Sequence, residues 1–327
     1  MEINEMKLYL VIPCYNEEEV LAETAKRTRE KLLGLIEEGK ISDESRICFV
    51  DDGSKDKTWE IIDSLCAEDN IYCGLRLSRN KGHQNALLAG LMSVKEHCDA
   101  AISLDADLQD DINAIDAMVD KYADGCEVVY GVRSSRKTDK LFKRATARTF
   151  YKLMRAMGVE TVYDHADYRL MSRRALEALA SFDEVNLFLR GLVPLVGFKS
   201  DVVEYERNKR FAGKSKYPLK KMLSFAFEGI TSMSIKPIRM ISALGFLIFV
   251  ASIGMLIYSL IRHFTGNTVE GWTSIVVSVW AVGGLQLLAI GVIGEYIGKI
   301  YLETKHRPKY IIDTKLNLGE NGDQNGK

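Results

Sequence analysis

Residues 100–111 read AAISLDADLQDD, a short apolar run followed by four carboxylates, Asp105, Asp107, Asp110 and Asp111. Like charges this close raise one another's pKa and oppose folding unless a cation sits among them. Two assignments fit the stretch. Asp110 and Asp111 suit the start of the next helix, where acidic side chains are favourable. Asp105 and Asp107 are spaced i, i+2, so at a strand end they point the same way. With Gln109 as a neutral oxygen they suit Mg2+ or Mn2+, which take one or two carboxylates and fill the remaining positions with water and substrate phosphate.

The same pattern repeats outward along the chain. Strand-like runs occur at 8–13 (LYLVIP), 46–51 (RICFVD), 72–77 (YCGLRL), 100–105 (AAISLD) and 127–132 (EVVYGV). They are short, apolar and rich in β-formers, as strands covered on both faces are. Helical patterns lie between them at 17–38, 58–67, 84–96 and 112–122. Strand–helix alternation implies an α/β fold with a mostly parallel, doubly wound sheet. Ligands of such sheets bind beyond the carboxyl ends of the strands. Asp51 and Asp52 follow the second run, Arg79 and Asn80 the third, Asp105 and Asp107 the fourth and Arg133 the fifth. All four polar clusters therefore share one edge. Asp52 either caps a turn through Gly53 or accepts hydrogen bonds from a nucleotide. His83, at a helix start, reads as a capping or packing residue in preference to a ligand.

Composition narrows the function. The 327 residues carry 44 basic and 45 acidic side chains, net charge −1, so no basic field recommends nucleic acid as a partner. Six cysteines at 14, 48, 66, 73, 98 and 126 form no C-x-x-C pair, which fits reduced, buried thiols. No GxGxxG follows the first strand and no GxxxxGK[ST] occurs, which argues against dehydrogenases and P-loop NTPases.

Residues 241–261 and 272–294 carry no charge, and each has about the 20 residues that a spanning helix needs. The link RHFTGNTVEG (262–271) makes them a hairpin. Lys236 and Arg239 precede it and Lys299, Lys305, Arg307 and Lys309 follow it, so the basic bias puts both ends in the cytoplasm. Small residues in VGGLQLLAIGVIG would support helix packing and a homo-oligomer. Residues 217–235 place apolar side chains at helical spacing behind Lys216, Lys220 and Lys221, as an interfacial amphipathic helix does. The expected organisation is a cytosolic domain at 1–215, the interfacial helix at 216–236, two membrane helices within 237–300, and a cytosolic tail at 301–327 with a disordered end (317–327).

VIPCYNEE, VDDGSKD, LSRNKGHQNALLAG, DADLQD, YGVRSSR and RFAGKSKYPLKKM, in that order before a membrane hairpin, resemble the polyisoprenyl-phosphate glycosyltransferases of glycosyltransferase family 2. Bacterial members are bactoprenol glucosyltransferases, and dolichyl-phosphate mannose synthases are relatives. The resemblance implies a GT-A fold, a nucleotide-sugar donor, a divalent metal and inversion at the anomeric carbon. It makes Pro13, Tyr15, Glu17 and Asp52 nucleotide contacts, with Arg79 beside them. Asp105, Asp107 and Gln109 become the metal–diphosphate group. Arg133, Arg144, Arg210 and Lys216 would face the donor and acceptor phosphates. Arg148 stands where the mannose synthase motif has serine. DHADYRLMSRR (164–174) resembles the bacterial subgroup and makes Asp164 and Asp167 active-site carboxylates beside Asp107. The expected reaction moves a hexose, glucose first and N-acetylglucosamine next, from a UDP-sugar to polyprenyl phosphate at the inner membrane. A processive polysaccharide synthase would instead show a QxxRW motif and further spans, and a non-catalytic adaptor would not need the acidic and arginine sets.

Overall fold

Seven consecutive small or apolar residues make Leu8–Cys14 a strand (β1) buried along its whole length. A strand buried on both faces needs a layer on each side, and its alternating side chains divide between two cores. Leu8, Leu10 and Ile12 pack with Leu21, Ala25 and Leu32 of α1 (Leu21–Glu37), Ile62 of α2 (Thr58–Glu68) and Met118 of α4 (Ala114–Ala123). Tyr9 and Val11 pack on the other face with Ala86, Leu87 and Val94 of α3 (His83–Val94), and with Leu176 of α5 (Arg173–Ala180) and Leu192 of α6 (Leu189–Leu195).

The computed structural model describes residues 6–133, 157, 165–206, 230–265 and 271–318. The remaining strands are β2 (Arg46–Asp51), β3 (Tyr72–Leu77), β4 (Ala100–Ser103), β5 (Val128–Arg133), β6 (His165–Ser172), β7 (Ser200–Tyr205) and β8 (Ile312–Leu316). They form one sheet in the order β7-β5-β6-β4-β1-β2-β3-β8. The centre, β4-β1-β2-β3, is parallel as the strand–helix alternation predicts. The flanks are mixed: β6 runs antiparallel to both β4 and β5, β7 is parallel to β5, and β8 is antiparallel to β3. The strand predicted at 127–132 is thus separated from β4 by β6, which came later in the chain and was not among the five expected strands.

The region after residue 300 is not wholly a tail. β8 joins the sheet edge, and Asn317 Nδ2 donates to the carbonyls of Cys66 (2.8 Å) and Tyr72 (2.9 Å). Residues 319–327 lie outside the described residues, as does most of the amphipathic stretch, of which 230–233 are helical. All six cysteines are free and buried.

Two helices follow, α7 (Lys236–Phe264) and α8 (Trp272–Thr304), both long and apolar enough to cross a membrane. Phe246, Leu247, Leu287 and Ile290 project outward from them, an exposure that water penalises and hydrocarbon does not. At 1.5 Å per residue α8 is about 50 Å long, well beyond the hydrocarbon thickness of about 30 Å, so its charged C-terminal turns extend past any apolar layer.

Gly90 shows how closely α3 lies on the sheet. A Cβ there would stand 2.4 Å from Val11 Cγ1 and 2.7 Å from Val50 Cγ2. Alanine gains about 1 kcal/mol of helix propensity over glycine, but forcing a methyl into a full core costs about 1–3 kcal/mol. Gly90→Ala is therefore expected to be net destabilising, read as a lower midpoint in denaturant unfolding.

Candidate active site

Register builds the site. In the antiparallel β4–β6 pair Ser103 faces Arg169, so two residues further at the same edge Asp105 comes opposite Asp167. β5 pairs with β6 in the opposite direction and β7 runs beside β5 with Arg133 opposite Tyr205, which brings Arg133 to that edge as well. The first turn of α3 then places His83 Nε2 3.6 Å from Asp105 Oδ1 and 3.7 Å from Asp167 Oδ2. His83 is thus neither a cap nor a packing residue. It is an exposed side chain within ion-pair reach of two carboxylates.

Asp167 is held by two arginines. Arg169 donates to Oδ1 (2.6 Å), while Arg190 of α6 donates to Oδ2 (3.0 Å) and Oδ1 (3.3 Å). The Arg169 side chain is only 2% exposed and that of Asp167 12%. Burial pushes the Asp167 carboxyl up, but Arg190 and Arg169, with His83, hold it well below the usual carboxylate range. A carboxylate so stabilised is a poor proton acceptor and a good anchor. Arg169 lies within DHADYRLMSRR, two residues after Asp167, but was given no role there, and Arg190 lies outside every quoted motif.

Asp105, whose side chain is 37% exposed, has the opposite electrostatics. Desolvation pushes its carboxyl up to about 6, Asp110, Asp167 and Asp107 add to the rise, and His83 opposes it. The backbone that carries it is firmly held. Thr24 Oγ1 donates to the Ala106 carbonyl (2.7 Å), and Asp107 Oδ1 accepts the Gln109 N–H (3.1 Å). Between them Leu108 is buried at φ 56°, a left-handed conformation that leucine rarely takes and that carries strain. That turn keeps Leu108 in the core while Asp107 and Gln109 stay partly accessible.

Asp110 does not cap α4. It is buried, and its Oδ1 accepts from the Tyr205 hydroxyl (2.6 Å) and from Arg133 (3.4 Å), while Oδ2 meets no hydrogen-bond partner among the described residues. Asp111 alone serves near that helix start, with Oδ1 accepting the Asn113 N–H (3.0 Å). Arg133, half-buried, also donates to Tyr205 (3.4 Å).

The other expected contacts gather at the ends of β1 and β2. Pro13 is buried in β1, Tyr15 just beyond it is 41% exposed, and Glu17 is half-buried with its N–H donating to Thr58 Oγ1 (2.9 Å). Asp52 accepts the N–H groups of Lys81 (2.7 Å) and Gly82 (2.9 Å), and burial raises its pKa against those two bonds. It therefore ties the β2 turn to the loop before α3, a role not weighed from sequence. Gly53 makes that approach feasible: its φ is +66°, and a Cβ would lie 2.7 Å from the Arg79 backbone. Arg79 is exposed beside it. Arg144, Arg148, Asp164, Arg210 and Lys216 lie outside the described residues.

Among the described residues no group of three His, Cys, Asp or Glu side chains is arranged to hold a metal alone. Asp105 and Asp107 supply hard oxygen donors at an accessible edge. They fit a cation such as Mg2+ or Mn2+ that completes its shell with water and phosphate oxygens, and do not fit a closed structural site.

Asp167→Asn tests the buried anchor. It leaves Arg169 charged and unpaired in the interior, an error that costs about 3–5 kcal/mol. Because the folded carboxyl pKa is depressed, wild-type stabilisation is present above the ordinary carboxylate range and is lost as pH falls through the folded value. The stability gap measured by denaturant unfolding should be full at pH 7 and narrow on acidification below about pH 4.

Comparison with known proteins agrees with the site's character. Residues 9–180 match the model of Glycosyl transferase family 2. The chain is 54% identical to the uncharacterized glycosyltransferase YkoT of Bacillus subtilis, over 97% of this chain and 94% of that one. It is 43% identical to the bactoprenol glucosyl transferase of Shigella phage SfV, over 94% and 98%. Among solved structures, glucosyl-3-phosphoglycerate synthase from Mycobacterium tuberculosis in complex with UDP is similar at 16% identity and a TM-score of 0.45, covering 70% of this chain and 79% of that one. The family match takes in Asp52, Asp105, Asp107, Asp167 and Arg169, and the full-length relatives carry the likeness nearly end to end: the chain belongs to glycosyl transferase family 2.

Proposed function

We propose that this glycosyltransferase moves a hexose from a UDP-sugar, best UDP-glucose, onto undecaprenyl phosphate at the cytoplasmic leaflet, with inversion and with the help of Mg2+ or Mn2+. The observation that carries the proposal is the pairing of Asp105 and Asp107 with an arginine-rich rim on one sheet edge, in a chain that also bears two membrane-length helices. The bactoprenol glucosyl transferases it resembles support the acceptor class. UDP-N-acetylglucosamine is the next donor to consider.

The chemistry asks little of a general base, because a polyprenyl monophosphate is already anionic at neutral pH. It asks instead that two phosphate groups be brought together and that charge on the departing diphosphate be stabilised. Held by Asp105 and Asp107, with Gln109 alongside, a divalent cation would neutralise that developing charge. Arg133, oriented by Asp110 and Tyr205, is suited to phosphate through its planar fork. Asp167 in this scheme does not take a proton. It is tied in the interior to Arg169 and holds the partly exposed Arg190 at the edge, so that the acceptor phosphate would meet a guanidinium already in place. Tyr15, Glu17, Asp52 and Arg79 form the nucleotide end. Arg144, Arg148, Arg210 and Lys216 would add further cations on the phosphates, and Asp164 a carboxylate near the sugar. The helix pair keeps the catalytic domain at the leaflet where the lipid phosphate lies, and the basic residues at both of its ends favour the cytoplasmic side.

Purified enzyme with undecaprenyl phosphate and a panel of UDP- and GDP-sugars should give a lipid-linked sugar with one UDP-hexose above all. Failure of every donor would refute the proposal. EDTA should abolish turnover and added Mn2+ or Mg2+ restore it. Asp107→Asn should lower kcat by at least about 100-fold, the loss expected when several kcal/mol of charge stabilisation is removed, with the melting temperature little changed. Asp105 must be ionised to bind a cation, so Mn2+ affinity measured by titration calorimetry should weaken as pH drops below about 6.

A further inference from the structure

α8 is uncharged from Trp272 to Gly294 and then carries Glu295, Lys299 and Glu303 at intervals of four, on one helix face. The last of these grips the catalytic domain. Glu303 Oε2 accepts the Val185 N–H (2.8 Å), and Oε1 accepts the Asn186 N–H (2.8 Å) and Asn186 Nδ2 (2.7 Å). Asn186 Nδ2 also reaches the Lys299 carbonyl (3.4 Å), and Lys309 Nζ donates to the Phe182 carbonyl (2.9 Å). Three N–H donors converge on one carboxylate, the charge-assisted geometry that makes hydrogen bonds strong.

The gripped segment leads straight into α6. Leu189, its first residue, donates its N–H to Gln84 Oε1 (2.9 Å) and offers its carbonyl to Arg169 (3.4 Å). Gln84 is the neighbour of His83, and Arg190 is the neighbour of Leu189. The next residue, Gly191, lies so close to the turn before α7 that a Cβ would stand 2.9 Å from Met233 Cε. Asn186, whose backbone Glu303 holds, is only four positions from Arg190, whose guanidinium holds Asp167.

We propose that Glu303 is a positioning residue for the transfer reaction: from the end of α8 it sets the 185–189 backbone and thereby the placement of Arg190 on Asp167. The proposal rests on the transferase reading above. It makes the helix pair part of the catalytic geometry as well as an anchor, since a shift of α8 against the sheet moves the start of α6. Displacement of a catalytic wall by an ångström is enough to cost a large factor in rate.

The test uses the full chain in phospholipid nanodiscs containing undecaprenyl phosphate. Glu303→Ala should lower kcat about tenfold while the KM for the nucleotide sugar stays within about twofold, because the donor end is untouched. Glu303→Gln keeps the one acceptor oxygen that Asn186 needs but turns an NH2 toward Val185, so it should recover part of the rate lost in Glu303→Ala. Arg190→Ala combined with Glu303→Ala should be no slower than Arg190→Ala alone, as expected for residues acting through one contact. Amide exchange at 185–190 should rise in Glu303→Ala without any substrate. An unchanged kcat, additive losses, a matching loss of donor KM, or unchanged exchange would each overturn the proposal. A wild-type enzyme inactive on undecaprenyl phosphate would sink the acceptor assignment instead, and the exchange measurement would still decide the clamp.

Discussion

A buried arginine must find its counter-ion within the fold, and here Arg169 finds it two residues back along its own strand. Asp167 can answer because β6 runs antiparallel to β4, which turns the start of β6 toward the edge where β4 ends. The same pairing sets Asp105 opposite Asp167, draws His83 between them and gives Arg190 its partner. The ion pair is costly to bury and costlier to break. Register ties the pair to its neighbours: a slip of one residue would carry Asp167 and Arg169 together to the other face, away from Asp105, His83 and Arg190.

Two carboxylates at this edge stand in contrasting fields. Asp167 is saturated by guanidinium groups and stays ionised, so it works as a fixed anion that orients cations. Asp105 is desolvated and crowded by Asp110, Asp167 and Asp107, with His83 opposing the crowding, and the divalent cation of the proposed reaction would relieve it further. Asp105 and Asp107, with His83 beside Asp105, thus stand next to guanidinium groups already fixed by Asp167. Such a division suits a reaction whose main demand is to handle phosphate charge.

Much of this was legible in one dimension. Short apolar runs marked the central strands, and the helical patterns between them the helices, to within a few residues, because local burial patterns depend on neighbours in sequence. The strand-end rule gathered Asp52, Arg79, Asp105, Asp107 and Arg133 at one edge. The chain did not announce β6, whose run HADYRLMS mixes charge with apolar residues because it carries the ion pair. Nor did it announce β8, a half-exposed edge strand more than 200 residues from its partner β3. Asp110 read as a helix cap because adjacent aspartates usually cap. It is instead buried by Tyr205, which a parallel neighbour of β5 brings from 95 positions away.

By itself, then, the amino-acid order determined the α/β centre, the acidic turn with metal-suited spacing, the two membrane-length helices and the family. Each of these is written in contiguous residues or in motifs whose order survives without a fold. Tertiary structure decided the partners: that His83 faces carboxylates, that Asp167 anchors two arginines, that Asp110 supports Arg133, and that Glu303 reaches the segment before α6. Apart from Asp167–Arg169, two positions apart on one strand, those contacts join residues from about 20 to more than 115 positions apart. Strand direction, register and helix length bring them together, and none of these is encoded at either residue alone.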